Sequence, residues 1–262
     1  MSGAPAYDFA RVDGKRLRYR RIESAPGNAA IVFLHEGLGS ITQWRDFPDV
    51  LCRATGCAGI VYERIGHGGS DPVTLPRPDD FLRREAEQTL PALLDRLGVA
   101  RPILVGHSDG GSIALLFAAA FPARAAACIR VAAHVFLELA TDAALRAAAE
   151  AFATTDLRRR LERHHAANTA AMFRAWNETW LRLAPNGWSM TDRLKHITCP
   201  VLAVQGETDE HGTKAQLDAI AAGVSGPAES FLIPGCGHVP HAQAREALLV
   251  RAAAFIGALV PK

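Results

Sequence analysis

The sequence predicts an α/β protein: a mostly parallel, doubly wound sheet with helices on both faces and a helical insertion. Two observations support this prediction. Apolar runs of strand length alternate with helical patterns along most of the chain, and the alternation stops between Leu137 and about Lys195. Alternating strands and helices with short connections are typical of a parallel sheet covered on both faces. The 262 residues, 49% of them hydrophobic, suit a single domain with a large core.

The chain up to residue 136 contains five predicted strands and two predicted helices. Alternating basic and apolar residues at 15–22 predict a short surface strand, whereas unbroken apolar runs predict strands buried on both faces. These runs are Ala29–His35, Cys57–Glu63, the segment that begins at Pro102, and Ala126–Phe136. A broad apolar face predicts a helix over Asp79–Leu97, which Gly98 ends. The second helix follows the strand from Pro102 and ends at Pro122.

From Leu137 to about Lys195 the pattern is helical, and this stretch carries three of the four tryptophans. We interpret it as a helical insertion, at about 137–195, in a single domain that spans 1–262. After this stretch, apolar runs of strand length again alternate with helical patterns. Two strands and two helices are predicted here: strands at Cys199–Gly206 and Glu229–Gly235, and helices near Lys214–Ala222 and Ala242–Leu259.

A single serine lies between the strand from Pro102 and the helix that follows it, in the segment GHSDGG. A strand that turns into a helix within three residues must bend sharply, and only small residues fit beside the apex of the bend. Gly106 and Gly110 flank Ser108 at the spacing of the G-x-S-x-G nucleophile elbow. Chance glycine-rich turns also match this motif, so its position between an apolar strand and an apolar helix decides the interpretation. We therefore predict that Ser108 is a nucleophile.

Five segments together resemble the α/β-hydrolase family, and the resemblance covers nearly the whole chain. They are LHEGLGS at Leu34–Ser40, YERIGHGGSD at Tyr62–Asp71, GHSDGG, VQGETDEHG at Val204–Gly212, and PGCGHVPH at Pro234–His241. The resemblance implies an α/β-hydrolase fold and a serine hydrolase whose nucleophile, acid and base follow the chain order Ser, Asp, His. It also implies that the helical insertion is a lid that shapes the substrate pocket.

His238 is the predicted base. A serine hydroxyl needs an imidazole to take its proton, and that imidazole needs a carboxylate to orient it. His238 follows the last predicted strand, so it lies at the sheet edge where Ser108 is also expected. The family resemblance places its histidine in the same Gly-His pair. His241 is the alternative base.

Asp209 is the predicted acid. It lies just after the predicted strand Cys199–Gly206, and it matches the family's acid position a few residues past the glycine that ends the strand. The neighbouring Glu207, Glu210 and His211 are interpreted as loop residues. No metal site is predicted, and the reaction that the resemblance implies requires no cofactor.

The tetrahedral intermediate of such a reaction needs two backbone N–H donors already in place. One is predicted to be Asp109, the residue after the nucleophile, with its side chain pointing away from the pocket. The family's other donor follows a His-Gly pair, whereas this chain reads His35-Glu36-Gly37-Leu38. If Glu36-Gly37 takes the place of that pair, the donor is Leu38, which is our prediction; if His35 does, the register shifts by one. Glu36 is interpreted as a buried support for the loop, with a pocket carboxylate as the alternative.

The predicted substrate-pocket residues are Gly37, Phe173, Trp176 and Trp180. The three aromatic residues recur at helical spacing in the insertion, and the alternative is that they pack the insertion onto the core. The insertion also carries several arginines, namely Arg158–Arg160, Arg163 and Arg174. We interpret them mainly as a solvated face, with recognition of a substrate carboxylate as the alternative.

Charge and composition disfavour other classes of function. A net charge of +2 is too small to indicate a nucleic-acid surface, and no apolar window is long enough for a membrane span. The N-terminal residues lack the apolar core of a signal peptide, and the 5 cysteines show no metal-ligand spacing. We therefore expect a cytoplasmic protein with reduced thiols. The oligomeric state stays open, a homodimer included.

Taken with the resemblance, these features predict a serine hydrolase of a small carboxylic ester, thioester or lactone that forms an acyl-enzyme on Ser108. Two alternatives stay open. One is hydrolysis of a C–C bond in a ring-cleavage diketone by the same residues, and the other is a non-catalytic ligand-binding protein on the same fold. Dehalogenase and epoxide hydrolase activities are disfavoured, because a resemblance to either of those groups of enzymes would place Asp where this chain has Ser108.

Overall fold

A central sheet of eight strands forms the frame of the described structure. The structure, a computed structural model, describes residues 6–25, 29–138 and 140–259. The strands are β1 (Asp8–Val12), β2 (Lys15–Ile22), β3 (Ala30–Leu34), β4 (Ala58–Tyr62), β5 (Ile103–His107), β6 (Ala127–Val131), β7 (Val201–Gly206) and β8 (Ala228–Ile233). Their order in the sheet is β1-β2-β4-β3-β5-β6-β7-β8. β1 and β2 run antiparallel to their neighbours, and all other neighbouring strands are parallel.

Helices connect the strands and cover both faces of the sheet. They are α1 (Phe47–Thr55), α2 (Phe81–Arg84), α3 (Leu90–Leu97), α4 (Asp109–Ala120), α5 (Ala140–Thr154), α6 (Leu157–His165), α7 (Thr169–Leu183), α8 (Ala215–Gly223), α9 (Pro240–Gln243) and α10 (Arg245–Gly257). A π-helical turn, Glu85–Thr89, joins α2 to α3, so these two continue one helical segment. No helix in the described ranges combines the length and the apolar character that a membrane crossing needs.

Neighbouring residues of the central strands pack on opposite faces of the sheet, as β3 illustrates. Ile31 and Phe33 lie in one core with residues of α1 and α10, whereas Val32 and Leu34 lie in the other core with residues of α3 and α4. All four side chains are 0% exposed. Successive residues of a strand point to opposite faces, so a strand covered on both sides is apolar at every position. The predicted fold class, a mostly parallel sheet with helices on both faces, is confirmed.

The structure differs from the sequence analysis at three elements. β1 and α1 were not predicted, and β6 ends at Val131 although the apolar run continues to Phe136. The strand ends because Ala132 has a φ of +50°, which leaves the extended conformation. The residues that follow β6 therefore form a loop at the carboxyl edge of the sheet, and His134 belongs to this loop.

The helical stretch between β6 and β7 contains α5, α6 and α7. α5 packs on α7, where the rings of Phe152 and Phe173 stack with their centroids 3.9 Å apart. α6 is fixed to loops of the sheet edge through His165. Its Nδ1 accepts the Gly68 N–H at 2.9 Å, and its Nε2–H donates to the Leu38 carbonyl at 2.9 Å. The role of this stretch as a lid stays a prediction.

Candidate active site

Ser108 lies at a sharp turn between β5 and α4. Its backbone has a φ of +51° and a ψ of −121°, a conformation that is rare for residues with a side chain. A Cβ on Gly106 would overlap the carbonyl of Gly110, and a Cβ on Gly110 would overlap the carbonyl of Leu34. Only glycine fits at these two positions. The glycines thus allow the tight turn that presents Ser108 at the carboxyl edge of the sheet.

The structure brings Ser108, His238 and Asp209 together in hydrogen-bonded order. Ser108 Oγ lies 3.1 Å from His238 Nε2, and His238 Nδ1 lies 2.9 and 3.0 Å from the two carboxylate oxygens of Asp209. Ser108 follows β5, Asp209 follows β7 and His238 follows β8. The carboxyl ends of these parallel strands share one edge of the sheet, which is why three residues far apart in the sequence meet.

Burial and hydrogen bonding act in opposite directions on this group. Burial lowers the pKa of His238, but the hydrogen bond and the charge of Asp209 outweigh burial and leave that pKa above its ordinary value. Burial would raise the pKa of Asp209, whereas hydrogen bonds from His238 and from the His211 N–H lower it below its ordinary value. The ionised Asp209 accepts the Nδ1–H of His238, and Nε2 is then free to accept the proton of Ser108.

A buried series of polar side chains holds Asp209 from behind. Gln205 Nε2 donates to Asp209 Oδ2, and the His211 N–H donates to Oδ1 at 2.8 Å. Arg130 donates to Gln205 Oε1 at 2.9 Å and is 0% exposed. Burial lowers the pKa of the Arg130 guanidinium to about 9. Because both oxygens of Asp209 have a donor besides His238, the carboxylate cannot rotate without losing hydrogen bonds.

Three side chains from two other segments, the loop after β4 and helix α6, contact the carbonyl groups of the loop that follows β3. The contacts are Arg64 Nη2 with the Glu36 carbonyl at 2.5 Å, His67 Nε2 with the Gly37 carbonyl at 3.0 Å, and His165 Nε2 with the Leu38 carbonyl at 2.9 Å. Within the described ranges, neither the Gly37 N–H nor the Leu38 N–H donates to an acceptor in the protein. Leu38 stays the predicted oxyanion donor, and Gly37 is the donor of the shifted register.

The side chain of Asp109 is buried beside the same loop. Its carboxylate lies 3.5 Å from the guanidinium of Arg64, and the two side chains are 3% and 4% exposed. Among the residues that the structure describes, Asp109 Oδ2 has no hydrogen-bond partner. Arg64 therefore contacts both segments that carry the predicted oxyanion donors: the loop at Glu36 and the first residue of α4 at Asp109. The Asp109 N–H stays the second predicted donor.

A cavity of about 190 Å³ opens beside Ser108. Besides Ser108 and His238, its lining includes the polar residues Glu36, Asp109, His134 and His211 and the apolar residues Leu38, Leu137, Leu145 and Ala148. The predicted pocket residues Gly37, Trp176 and Trp180 also belong to the lining. The prediction for Phe173 is not met. Its ring is turned toward α5 and stacks on Phe152, so Phe173 packs inside the insertion and lies outside the cavity lining.

His134 and His211 line the cavity, although the sequence indicated a role for neither. His134 Nε2–H donates to the His211 carbonyl at 2.8 Å, and the ring of His211 meets that of His238 edge-on with centroids 4.5 Å apart. Burial lowers the pKa of both residues. The signal for His211 was its position two residues after Asp209. His134 carried no such signal, because the predicted strand continued through it.

The alternative base lies elsewhere, and the two glutamates beside Asp209 face solvent. His241 contacts the rings of Trp44 and His107, with centroids 4.8 and 4.9 Å away, and burial lowers its pKa to about 2. Glu207 and Glu210 are both exposed. The part of the chain that the structure describes contains no group of three or more His, Cys, Asp or Glu residues that could hold a metal ion.

Known proteins resemble this chain in sequence and in fold. The 2-hydroxy-6-oxononadienedioate/2-hydroxy-6-oxononatrienedioate hydrolase of Burkholderia vietnamiensis is 34% identical over 115 residues, which are 43% of this chain and 38% of that protein. The chain spans 30% to 38% of the length of curated relatives that it matches. The enol-lactonase from Burkholderia xenovorans superposes with a TM-score of 0.71 at 20% identity, over 95% of this chain and 99% of the other. The esterase RhEst1 from Rhodococcus gives 0.72 at 21% identity, over 97% and 99%.

These structural likenesses show a shared fold. The family itself is shown by sequence: the model of the alpha/beta hydrolase family matches residues 31–252, which run from β3 into α10 and include Ser108, Asp209 and His238. The match covers most of the chain, and it agrees with the sheet order and with the resemblance noted in the sequence. The chain therefore belongs to the alpha/beta hydrolase family.

Proposed function

We propose that this protein is a serine hydrolase that cleaves a small carboxylic ester, thioester or lactone through an acyl-enzyme on Ser108. The observation that carries the proposal is the 3.1 Å contact between Ser108 Oγ and His238 Nε2, with Asp209 at 2.9 Å from the other ring nitrogen. A hydroxyl, an imidazole and a carboxylate in this order can activate a serine for acyl transfer.

In the proposed reaction, Ser108 Oγ attacks the carbonyl carbon while His238 Nε2 takes its proton. Asp209 orients the ring and stabilises the imidazolium that forms. The backbone N–H groups of Asp109 and Leu38 donate to the oxyanion. When the tetrahedral intermediate collapses, the leaving group takes the proton from His238 and the acyl group stays on Ser108. A water molecule, deprotonated by His238, then attacks the acyl-enzyme, and the acid is released.

The size of the cavity favours a substrate with a small acyl group. Its volume is about 190 Å³, and Leu137, Leu145, Trp176 and Trp180 supply much of its apolar wall. Leu145 belongs to α5 and both tryptophans to α7, which supports the proposal that the insertion serves as a lid. Two solved structures of similar fold are named as an esterase and an enol-lactonase, which agrees with ester or lactone chemistry.

Hydrolysis of a C–C bond is the second candidate. The Burkholderia vietnamiensis relative is named as a hydrolase of 2-hydroxy-6-oxononadienedioate, a compound with a ketone and two carboxylates. The same three side chains would serve that reaction, in which a carbon leaves in place of an oxygen. Turnover of p-nitrophenyl esters, aryl lactones and acyl-CoA thioesters, compared with turnover of a ring-cleavage diketone, separates the two candidates.

Replacement of the serine tests the proposal directly. We expect Ser108→Ala to lower kcat for p-nitrophenyl butyrate by at least about 10⁴-fold, because the acyl-enzyme cannot form. Its circular dichroism spectrum should match that of the wild type. A fluorophosphonate probe should label Ser108 in the wild type, as read by peptide mass spectrometry. Retained turnover in Ser108→Ala would contradict the acyl-enzyme, and failure of the probe to reach Ser108 would favour a non-catalytic binding protein.

A further inference from the structure

The cavity beside Ser108 is lined by two acidic residues and by no arginine or lysine, within the part of the chain that the structure describes. The acidic residues are Glu36 and Asp109. Imidazoles complete the polar part of the wall. Burial lowers the pKa of His134 and of His211, so these two rings supply no positive charge near neutral pH. Of the three lining histidines, only the predicted base His238 has a pKa above its ordinary value. A group that enters the cavity therefore meets Glu36 without an arginine or lysine in the lining.

The surroundings of the two carboxylates differ. Asp109 lies 3.5 Å from the Arg64 guanidinium, which compensates its charge. In the described ranges, the Glu36 carboxylate makes no ion pair with an arginine or lysine, and its nearest titratable partner is His107 Nδ1 at 3.8 Å. His107 donates its Nε2–H to the His238 carbonyl at 2.7 Å, and burial lowers its pKa. The neutral ring thus turns a lone pair toward Glu36 and leaves the charge of that carboxylate uncompensated.

Glu36 is also the carboxylate that is open to the cavity. Its side chain is 25% exposed, whereas that of Asp109 is 3% exposed. The support of the loop comes from the backbone of Glu36, whose carbonyl accepts from Arg64. The carboxylate itself is therefore free to act on whatever binds next to Ser108.

The arginines whose alternative role was to recognise a substrate carboxylate do not line the cavity. Arg158–Arg160, Arg163 and Arg174 are all exposed on the insertion, and none belongs to the cavity lining. A substrate carboxylate would thus gain no ion pair from them inside the cavity. It would instead lie in a small, largely apolar space with Glu36, where like charges repel more strongly than in water.

We propose that Glu36 makes this site selective for acyl groups without negative charge, so that substrates whose acyl part carries a carboxylate are rejected. The inference rests on the proposed serine hydrolase activity and narrows its substrate class. In a cavity of about 190 Å³, a charge on the acyl group cannot move far from Glu36. Specificity of this kind comes from a repulsive element placed against the wrong substrate. Compact neutral acyl groups remain as the class that fits.

The test uses three boronic acids of matched length, which bind a reactive serine as tetrahedral adducts. They are 3-methylbutylboronic acid, which is apolar, 2-carbamoylethylboronic acid, which is polar and neutral, and 2-carboxyethylboronic acid, which is negatively charged. Dissociation constants for the full chain are measured by isothermal titration calorimetry near neutral pH. We expect the carboxylate to bind at least about tenfold more weakly than the amide, because only charge separates the two.

Glu36→Gln removes the charge and keeps the shape of the side chain. We expect the ratio of the two dissociation constants, carboxylate over amide, to fall to within about threefold in this variant. Glu210→Gln is the matched control, since Glu210 is exposed and lies outside the cavity lining, and the ratio should stay at its wild-type value. Equal binding of amide and carboxylate by the wild type, or an unchanged ratio in Glu36→Gln, would overturn the inference.

Hydrolysis of p-nitrophenyl butyrate by the same preparations separates this inference from the proposed function. Turnover that depends on Ser108, together with equal binding of the charged and neutral boronic acids, would overturn the role of Glu36 alone. No turnover and no binding of any of the three compounds would overturn the proposed function, and the inference with it.

Discussion

The pKa of His238 links the geometry of the site to a measurable pH dependence. Burial lowers this pKa, but Asp209 raises it above the ordinary value of 6.5. A general base must be neutral to take a proton, and a raised pKa keeps His238 protonated up to a higher pH. We therefore expect kcat/KM for p-nitrophenyl butyrate to rise with pH through an apparent pKa above 6.5 and to be lost as the pH falls below it. A pH–rate profile measures this directly.

Asp209→Asn tests the cause of that shift. Asparagine keeps the shape of the side chain but removes its charge, so burial dominates and the pKa of His238 falls. We expect the acid limb of the profile to move to lower pH, and kcat to fall about 10³- to 10⁴-fold because asparagine favours the wrong imidazole tautomer. Glu210→Gln is the control, since Glu210 is exposed and raises this pKa less than Asp209 does. An acid limb that stays in place in Asp209→Asn would contradict the assignment.

We expect Arg64 to stabilise the folded protein through its ion pair with Asp109. Its guanidinium lies 3.5 Å from the Asp109 carboxylate, and the two side chains are 4% and 3% exposed. Arg64→Met leaves that carboxylate buried without a cation, and the loss of one partner of a buried ion pair costs about 3–5 kcal/mol. We expect the free energy of unfolding to fall by this amount in urea denaturation. Asp109→Asn added to Arg64→Met should restore part of the loss, and equal losses in the single and double variants would contradict the pairing.

Helix α7 presents aromatic residues to two different environments. Trp176 lines the cavity, whereas Phe173 stacks on Phe152 inside the insertion. Trp176→Ala enlarges the cavity, so we expect the optimal acyl chain of p-nitrophenyl esters to lengthen by about two or more carbons. Phe173→Ala is the matched control: it should lower the free energy of unfolding by about 3–5 kcal/mol without changing the preferred chain length. Equal changes of preference in both variants would contradict this division of roles.

The predictability of each element follows from how it is buried. The central parallel strands could be predicted because both of their faces are covered, which makes them apolar throughout. β1 has three exposed residues among five, and only four residues of α1 are buried: Phe47, Pro48, Leu51 and Cys52. Such short segments produce weak periodicity, so neither was recognised. The end of β6 depends on the backbone of Ala132, which no apolar pattern reveals.

Parts of the candidate site could be predicted as well. Ser108 could be predicted because the glycines around it satisfy a steric demand of the turn, and the family resemblance then indicated His238 and Asp209. The contacts of Arg64 and His165 with the loop after β3 could not be predicted. They join segments that lie far apart in the sequence, and only the packing of the folded chain brings them together.

Across the whole molecule, burial of neutral histidines makes folding sensitive to acid. In the part of the chain that the structure describes, six histidines are buried and have a pKa lowered first of all by burial: His35, His67, His107, His134, His165 and His241. Each is neutral in the folded protein and takes up a proton on unfolding once the pH is below 6.5. Their contribution to stability is therefore complete above this pH and is lost as the pH falls.

His165 shows the physical basis of this effect. Its Nδ1 accepts the Gly68 N–H at 2.9 Å, so a proton on Nδ1 would remove that hydrogen bond. Burial lowers its pKa from 6.5 to about 4. A shift of this size corresponds to about 3 kcal/mol of stability, present above pH 6.5 and lost as the pH falls to about 4.

We expect the free energy of unfolding, measured by urea denaturation at a series of pH values, to decrease steadily from pH 6.5 to about 4. His165→Asn should reduce that decrease by up to about 3 kcal/mol, because asparagine offers an acceptor to Gly68 and does not titrate. His196→Asn is the matched replacement of an exposed histidine. An unchanged slope in His165→Asn would contradict the assignment of proton uptake on unfolding to this imidazole. The hydrogen bond between α6 and the loop at Gly68 would then not contribute to the loss of stability in acid.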